Sequence, residues 1–403
     1  MSFYYPEPEP TDHDFSDLPW QLPLSEWRSI VPHLVDVSIG VTRHTVLFAN
    51  YQGRIFALKE MPPGLARVEF ELLRRFENLH LPVVEPVCHL ATQTTAGPKS
   101  VLVTRYLEQS VPYRMIFMHP GLKSYRQHLL DAMAGLIVQL HLGGVFWGDC
   151  SLSNTLFRRD AGALRAYLVD AETSEIHDRE LPPTLRFHDL EIMEENVNGE
   201  LFDLKAEGLL PSQEAGIPAS DTGAYIRLSY RGLWEEITRE VVLHPGETYR
   251  IQERIKALNE LGFSVRDVVL EPTEHGDQLR LRAIVTGRNF HHDQLQNLTG
   301  LDVEEMQARK MINEIQEQKA TLSREKNHST SLSVAAFHWM ENIYLPITRR
   351  LVSLVSSELS LAELYCQVLE HKWYLSEMAS RDIGHQAATE DYIRRFGQRV
   401  SES

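Results

Sequence analysis

Few stretches limit the possible folds of this chain as tightly as Trp147-Gly148-Asp149-Cys150-Ser151-Leu152-Ser153-Asn154. An aspartate followed five positions later by an asparagine, just after the apolar Val145-Phe146, is what phosphoryl transfer to a hydroxyl requires. The Asp149 carboxylate can orient and deprotonate an acceptor, and the Asn154 amide oxygen can ligate a Mg²⁺ ion on nucleotide phosphates. Sixteen residues on, the apolar run Tyr167-Leu168-Val169 ends in Asp170, a strand-end carboxylate suited to the same metal. Upstream, Arg54-Ile55-Phe56-Ala57-Leu58-Lys59 is a strand-like run that delivers a lysine.

In this order and character, Lys59, Asp149, Asn154 and Asp170 resemble the protein-kinase-like superfamily. The resemblance is closest to its small bacterial members, the lipopolysaccharide-core (Kdo/heptose) kinases and aminoglycoside-type phosphotransferases. Those families carry a His-Gly-Asp loop; Gly148-Asp149 fits it, with Trp147 in the histidine's place. The resemblance spans the first half of the chain and implies an α+β, bilobal kinase-like domain with ATP and Mg²⁺ in its cleft. It implies Asp149 as the base, Lys59 as the phosphate clamp, and Asn154 and Asp170 as metal ligands.

The chain also departs from the pattern. No full Gly-x-Gly-x-x-Gly is present, and Gly40 lies where a phosphate-covering hairpin is expected. Grip on the phosphates would then fall to Arg43 or His44, residue types more often found on plain surface. Where kinases carry Phe-Gly after the metal aspartate, this chain has Ala171-Glu172-Thr173, and Glu172 is either a further metal ligand or a brace for a basic residue. Trp147, Ala171-Glu172 and the missing glycine signature favour an alternative, a pseudokinase that binds nucleotide or a partner without turnover. The retained lysine, two aspartates and asparagine oppose it.

Taken alone, Lys59 reads as a solvated strand end; its place before a helix shifts that reading. Pro62-Pro63-Gly64 starts the helix, and Leu65, Glu69, Leu72, Leu73 and Phe76 fall on one face at helical spacing. A carboxylate on an apolar face is costly unless paired. Pairing Glu69 with Lys59 removes that cost and aims the lysine at the α- and β-phosphates; Glu71 is the reserve candidate.

A formal charge of −16 argues against a nucleic-acid backbone or an anionic membrane surface as the main partner. No run approaches the roughly 18 apolar residues of a membrane span. Three scattered cysteines, Cys88, Cys150 and Cys366, predict reduced thiols and a cytoplasmic setting. Cys150, beside the candidate base, reads best as a buried bystander.

The expected layout is an acidic flexible leader over 1–17, a kinase-like ATP-binding domain over 18–207, a linker over 208–223 and a mostly helical domain over 224–403. Strands are expected near 35–40, 45–49, 55–58, 81–84 and 101–104, with an adenine hinge near 105–108. A long amphipathic helix is expected over 125–142, stopped by Gly143-Gly144, with His141 packing or bracing the loop. Arg158-Arg159 is read as part of a hairpin tip.

The run from His188 to Glu200 is dense in carboxylates, Glu194 and Glu195 among them, and is read as a solvated helix face. Helices are expected over 233–243, 249–261, 303–320, 335–344, 346–355, 361–379 and 387–396, with a hairpin of 265–270 and 279–285. His291-His292 is read as a surface pair rather than a metal site. This half resembles an uncharacterised domain family found fused to such kinase-like lobes, which supplies an association and no chemistry; in the pseudokinase alternative its helices recruit a protein partner. The favoured acceptor is a small molecule or sugar, since no peptide-presenting segment is recognisable.

Overall fold

The computed structural model describes residues 2–4, 15–37, 43–119, 122, 125–178, 181–210, 221–244, 247–273, 278–356 and 359–400. By contacts the chain divides into two units. The first comprises Met1–Phe157 with Ala166–Leu233, and the second Arg158–Arg165 with Trp234–Ser403.

The first unit opens with β1 (Ser2–Tyr4), a 3₁₀ turn (Leu24–Ser29), β2 (Leu34–Val35), β3 (Thr45–Tyr51) and β4 (Arg54–Met61). Then come α1 (Leu65–Asn78), β5 (Pro86–Thr94) and β6 (Gly97–Arg105). The strands form one six-stranded sheet in the order β1-β5-β6-β4-β3-β2. β4 is therefore central, with Lys59 opposite Val46 on one side and Leu102 on the other. Side chains alternate across a sheet. Phe56 and Leu58 accordingly enter a core with Phe15, Trp20 and Trp27, while Lys59 lies on the other face.

This part corrects several expectations. Of the expected leader, residues 2–4 pair with His89–Ala91 in β5, and Phe15 is fully buried, its ring edge-on to Phe56. The strand expected over 35–40 is seen only as Leu34–Val35, and Gly40 lies outside the described residues. The run 81–84 gives a single bridge from Val83 to Leu168; the strand is Pro86–Thr94 instead.

The rest of the unit holds β7 (Ser110–Pro112), α2 (Tyr113–Met118), α3 (Tyr125–Leu142) and β8 (Val145–Phe146). The hairpin of β9 (Thr155–Asp160) and β10 (Ala163–Leu168) follows, then β11 (Glu175–Ile176), α4 (Pro183–Ala206) and α5 (Thr222–Thr238). α3 is not one-sided: every residue from Ala132 to His141 is buried. The small Ala132, Ala134 and Gly135 permit packing all round, and Gln139 satisfies part of its amide on the Gly135 carbonyl at 3.0 Å.

The second unit adds β12 (Val241–Leu243), α6 (Tyr249–Glu260), β13 (Ser264–Pro272), β14 (Leu279–Gly287), α7 (Phe290–Thr299) and α8 (Glu305–Glu325). It ends with α9 (Leu332–Trp339), a π-helical turn (Met340–Tyr344), α10 (Leu345–Leu351), α11 (Leu361–Ala379) and α12 (Gly384–Val400). Val241–Leu243, expected to end a helix, instead pairs with Leu279–Leu281 at the edge of the three-stranded sheet β12-β14-β13. The helices pack around Trp339, Tyr344, Tyr365 and Leu351. Arg158 lies within β9 rather than at the hairpin tip, and pairs with Glu304 at 2.9 Å. His291 is buried against Glu305 at 2.6 Å, which corrects the surface reading. Among the described residues, no helix is long and apolar enough to cross a membrane.

Candidate active site

A cleft of about 300 Å³ in the first unit is lined by Lys59, Asp149, Asn154, Asp170 and Glu172, with Arg43, His44, Asn196 and Glu200 among the others. Four stretches deliver most of these residues. Lys59 comes from near the end of the central strand β4, Asp149 and Asn154 from the loop after β8, Asp170 from just past β10, and Asn196 and Glu200 from α4.

Lys59 Nζ lies 3.0 Å from Glu69 Oε2 and 2.8 Å from Asp170 Oδ2. Burial opposes charge on the lysine, yet the two carboxylates more than offset it and hold its pKa above the usual 10.5. Glu69 is 1% exposed; burial pushes its pKa up to about 7, with Lys59 pulling it down and Asp170 adding to the rise. Glu71 is exposed and pairs with Arg67 at 3.4 Å.

The loop is tightly tied. Asn154 Nδ2 donates to Asp149 Oδ2 at 3.1 Å and to the Asp149 carbonyl at 3.2 Å. The Asn154 carbonyl accepts from Val169 N at 3.1 Å, linking the loop to the strand end that carries Asp170. Gly148 has φ +77°, and a Cβ there would sit 2.8 Å from the Thr173 carbonyl, so only glycine fits. Cys150 is fully buried with its thiol pushed well above the usual range, chiefly by burial. That makes it inert.

Arg43 reaches Asp149 Oδ2 at 3.5 Å, and His44 Nε2 is 3.0 Å from Glu172 Oε2. Among the described residues, Glu69, Asp170 and Glu172 bring one carboxylate oxygen each within 4.8 Å of one another, a spacing that suits a cation.

Sequence reasoning missed the inner face of α4. Asp189, Asn196 and Glu200 stand at i, i+7 and i+11, a single helical face, and that spacing was the available signal. Asp189 is fully buried and accepts from Trp147 N and Gly148 N, both at 2.8 Å, and from His141 Nε2 at 3.1 Å. Burial lowers the His141 pKa against the opposing pull of Asp189, so the imidazole is neutral; its Nδ1 then accepts from Tyr230 Oη at 2.9 Å. Glu200 accepts from Leu152 N at 2.8 Å and Ser153 N at 2.9 Å. Only the outer carboxylates fit a solvated face: Glu195 is exposed, and Glu194 pairs with Arg227 at 2.6 Å.

The fold is that of a kinase-like phosphotransferase domain. Residues 55–215 match the Lipopolysaccharide kinase (Kdo/WaaP) family, and residues 232–396 match a family described as Domain of unknown function (DUF4032). A solved structure titled "WaaP in complex with acyl carrier protein" aligns at 19% identity over 58% of this chain and 100% of that chain, with a TM-score of 0.33. No curated protein matches this chain.

Proposed function

We propose that this chain is an ATP- and Mg²⁺-dependent phosphotransferase acting on a hydroxyl of a small molecule or sugar. The observation that carries the reading is the convergence of Lys59, Asp149, Asn154 and Asp170 on one cleft from three separate stretches of the chain. The residues present fit the metal, because Asn154, Asp170 and Glu172 offer hard oxygen donors of the kind Mg²⁺ takes. When bound, Mg²⁺ neutralises charge on the phosphate oxygens.

Lys59, braced by Glu69, would hold the α- and β-phosphates. Asp149 would orient the acceptor hydroxyl and take its proton, with Asn154 bridging the base and the metal side of the cleft. Between Asp170 and α4, the described residues hold only the short β11, which favours a compact acceptor over a peptide laid across the cleft.

The test separates binding from transfer. ATP with Mg²⁺ should raise the melting temperature of the wild type by mass action, and Lys59→Ala or Asp170→Ala should abolish that rise. Asp149→Asn should keep the rise and slow transfer by on the order of 10²–10⁴-fold. Suppose the wild type binds Mg²⁺·ATP yet transfers nothing to small molecules, protein or water, and Asp149→Asn changes nothing. Then the pseudokinase reading replaces this one.

A further inference from the structure

None of the roles above uses Asn196, although it touches the candidate base. Its Nδ2 donates to Asp149 Oδ1 at 3.1 Å and to the Cys150 carbonyl at 3.1 Å. One amide group therefore spans the carboxylate and the backbone just after it, which fixes the side chain of Asp149 against its own main chain. The other oxygen, Oδ2, is held by Asn154 at 3.1 Å and faced by Arg43 at 3.5 Å. Both carboxylate oxygens thus have a donor, and the Oδ1 donor comes from a different element from the loop itself.

Position 196 is also the place on α4 where a carboxylate would do harm. The other two members of the inner face, Asp189 and Glu200, are acids that accept from backbone N–H groups. Asn196 faces a carboxylate instead, and a neutral donor is what that neighbour needs. A residue of this kind can govern rate without touching nucleotide, since misplacing a reacting group by about 1 Å costs on the order of 10²-fold.

We infer that Asn196 is the positioning residue of phosphoryl transfer, holding Asp149 in the orientation from which it meets the acceptor hydroxyl. This rests on the phosphotransferase reading above. The experiment measures Mg²⁺·ATP turnover, with water and the protein's own hydroxyls as acceptors, in the full-length wild type and in three variants. Asn196→Asp is nearly isosteric but replaces the donor with a second carboxylate; Asn196→Ala removes the donor; Asn196→Ser keeps a shorter one.

The expected order of turnover at saturating ATP is wild type, then Ser, then Ala, then Asp, with Asp down by on the order of 10²-fold. KM for ATP and the Mg²⁺·ATP melting rise should stay at wild-type values throughout. Asn196→Asp turning over at the wild-type rate overturns the assignment. So does a loss that tracks the melting temperature or KM, because the residue then only supports the fold. A wild type that binds Mg²⁺·ATP yet transfers nothing to small molecules, protein or water overturns the phosphotransferase reading itself, and this assignment with it.

Discussion

Asp189→Ala offers the most direct test of how the loop is held. The carboxylate is fully buried and accepts from Trp147 N, Gly148 N and His141 Nε2 at 2.8, 2.8 and 3.1 Å. Its removal leaves two backbone donors and one imidazole donor in a dry site. Each orphaned donor costs about 1–3 kcal/mol. Water entering the small void would satisfy some of that, so the sum is roughly 3–6 kcal/mol. Against a domain stability of about 5–15 kcal/mol this is a large share. At about 2–4 °C per kcal/mol for a unit of this size, the melting temperature should fall by roughly 6–24 °C. The control is Glu195→Ala on the exposed side of the same helix, expected within about 0.5 kcal/mol of wild type. Thermal unfolding of the two variants side by side decides the matter. If Asp189→Ala melts no lower than Glu195→Ala, the loop is not held by this carboxylate.

Glu69→Gln should keep the shape of the buried pair but remove the charge opposite Lys59 Nζ at 3.0 Å. Losing one charge-assisted bond, about 1–2 kcal/mol, should slow turnover about tenfold, whereas Glu71→Gln should leave the rate within error. Equal losses in both would show that the lysine is braced from elsewhere. His292 has its pKa raised above 6.5, chiefly by its hydrogen bond to Asp302 at 3.0 Å. A raised histidine contributes stability that is fully present below about 6.5 and lost as pH rises through the folded-state value. Melting temperatures of wild type and His292→Gln should therefore differ more at pH 6 than at pH 8. A gap that is the same at both would sink this account; for so exposed a pair it should stay under about 1 kcal/mol.

The sequence made legible those features that short-range chemistry dictates. An apolar run closed by a lysine marked β4, the proline-proline-glycine start marked α1, and the apolar helix closed by two glycines marked α3 to the residue. The features it hid depend on partners far along the chain. Asp189, Asn196 and Glu200 resemble solvated helix residues until the backbone N–H groups and carboxylate of residues 147–153 are laid against them. His291 looks like half of a surface pair until Glu305 closes over it. The strand Pro86–Thr94 is hidden behind Leu81–Val84, the more apolar run, of which only Val83 forms a bridge. In Val241–Leu243, helical spacing lost to β-branched residues that found an open edge on β14.

The grip of α4 on the loop also bears on the most visible departure in the sequence. Trp147 stands where the kinase families that this loop resembles carry histidine, and it is fully buried. Its backbone is engaged on both sides: the N–H donates to Asp189, and the carbonyl accepts from Thr173 Oγ1 at 3.0 Å and Ser174 Oγ at 3.3 Å. The loop's course is thus set through its main chain by Asp189, at Asp149 and Cys150 by Asn196, and at Leu152 and Ser153 by Glu200. The side chain at 147 fills core, and its buried indole N–H has no hydrogen-bond partner among the described residues. With tryptophan at 147 the loop still carries Asp149 into the cleft beside Lys59, Asn154 and Asp170. Glu172 is different, because it replaces part of the usual Phe-Gly pair, lines the cleft and binds His44 at 3.0 Å. It adds a carboxylate beside Asp170, and in doing so it changes the charge that a nucleotide and its metal would meet.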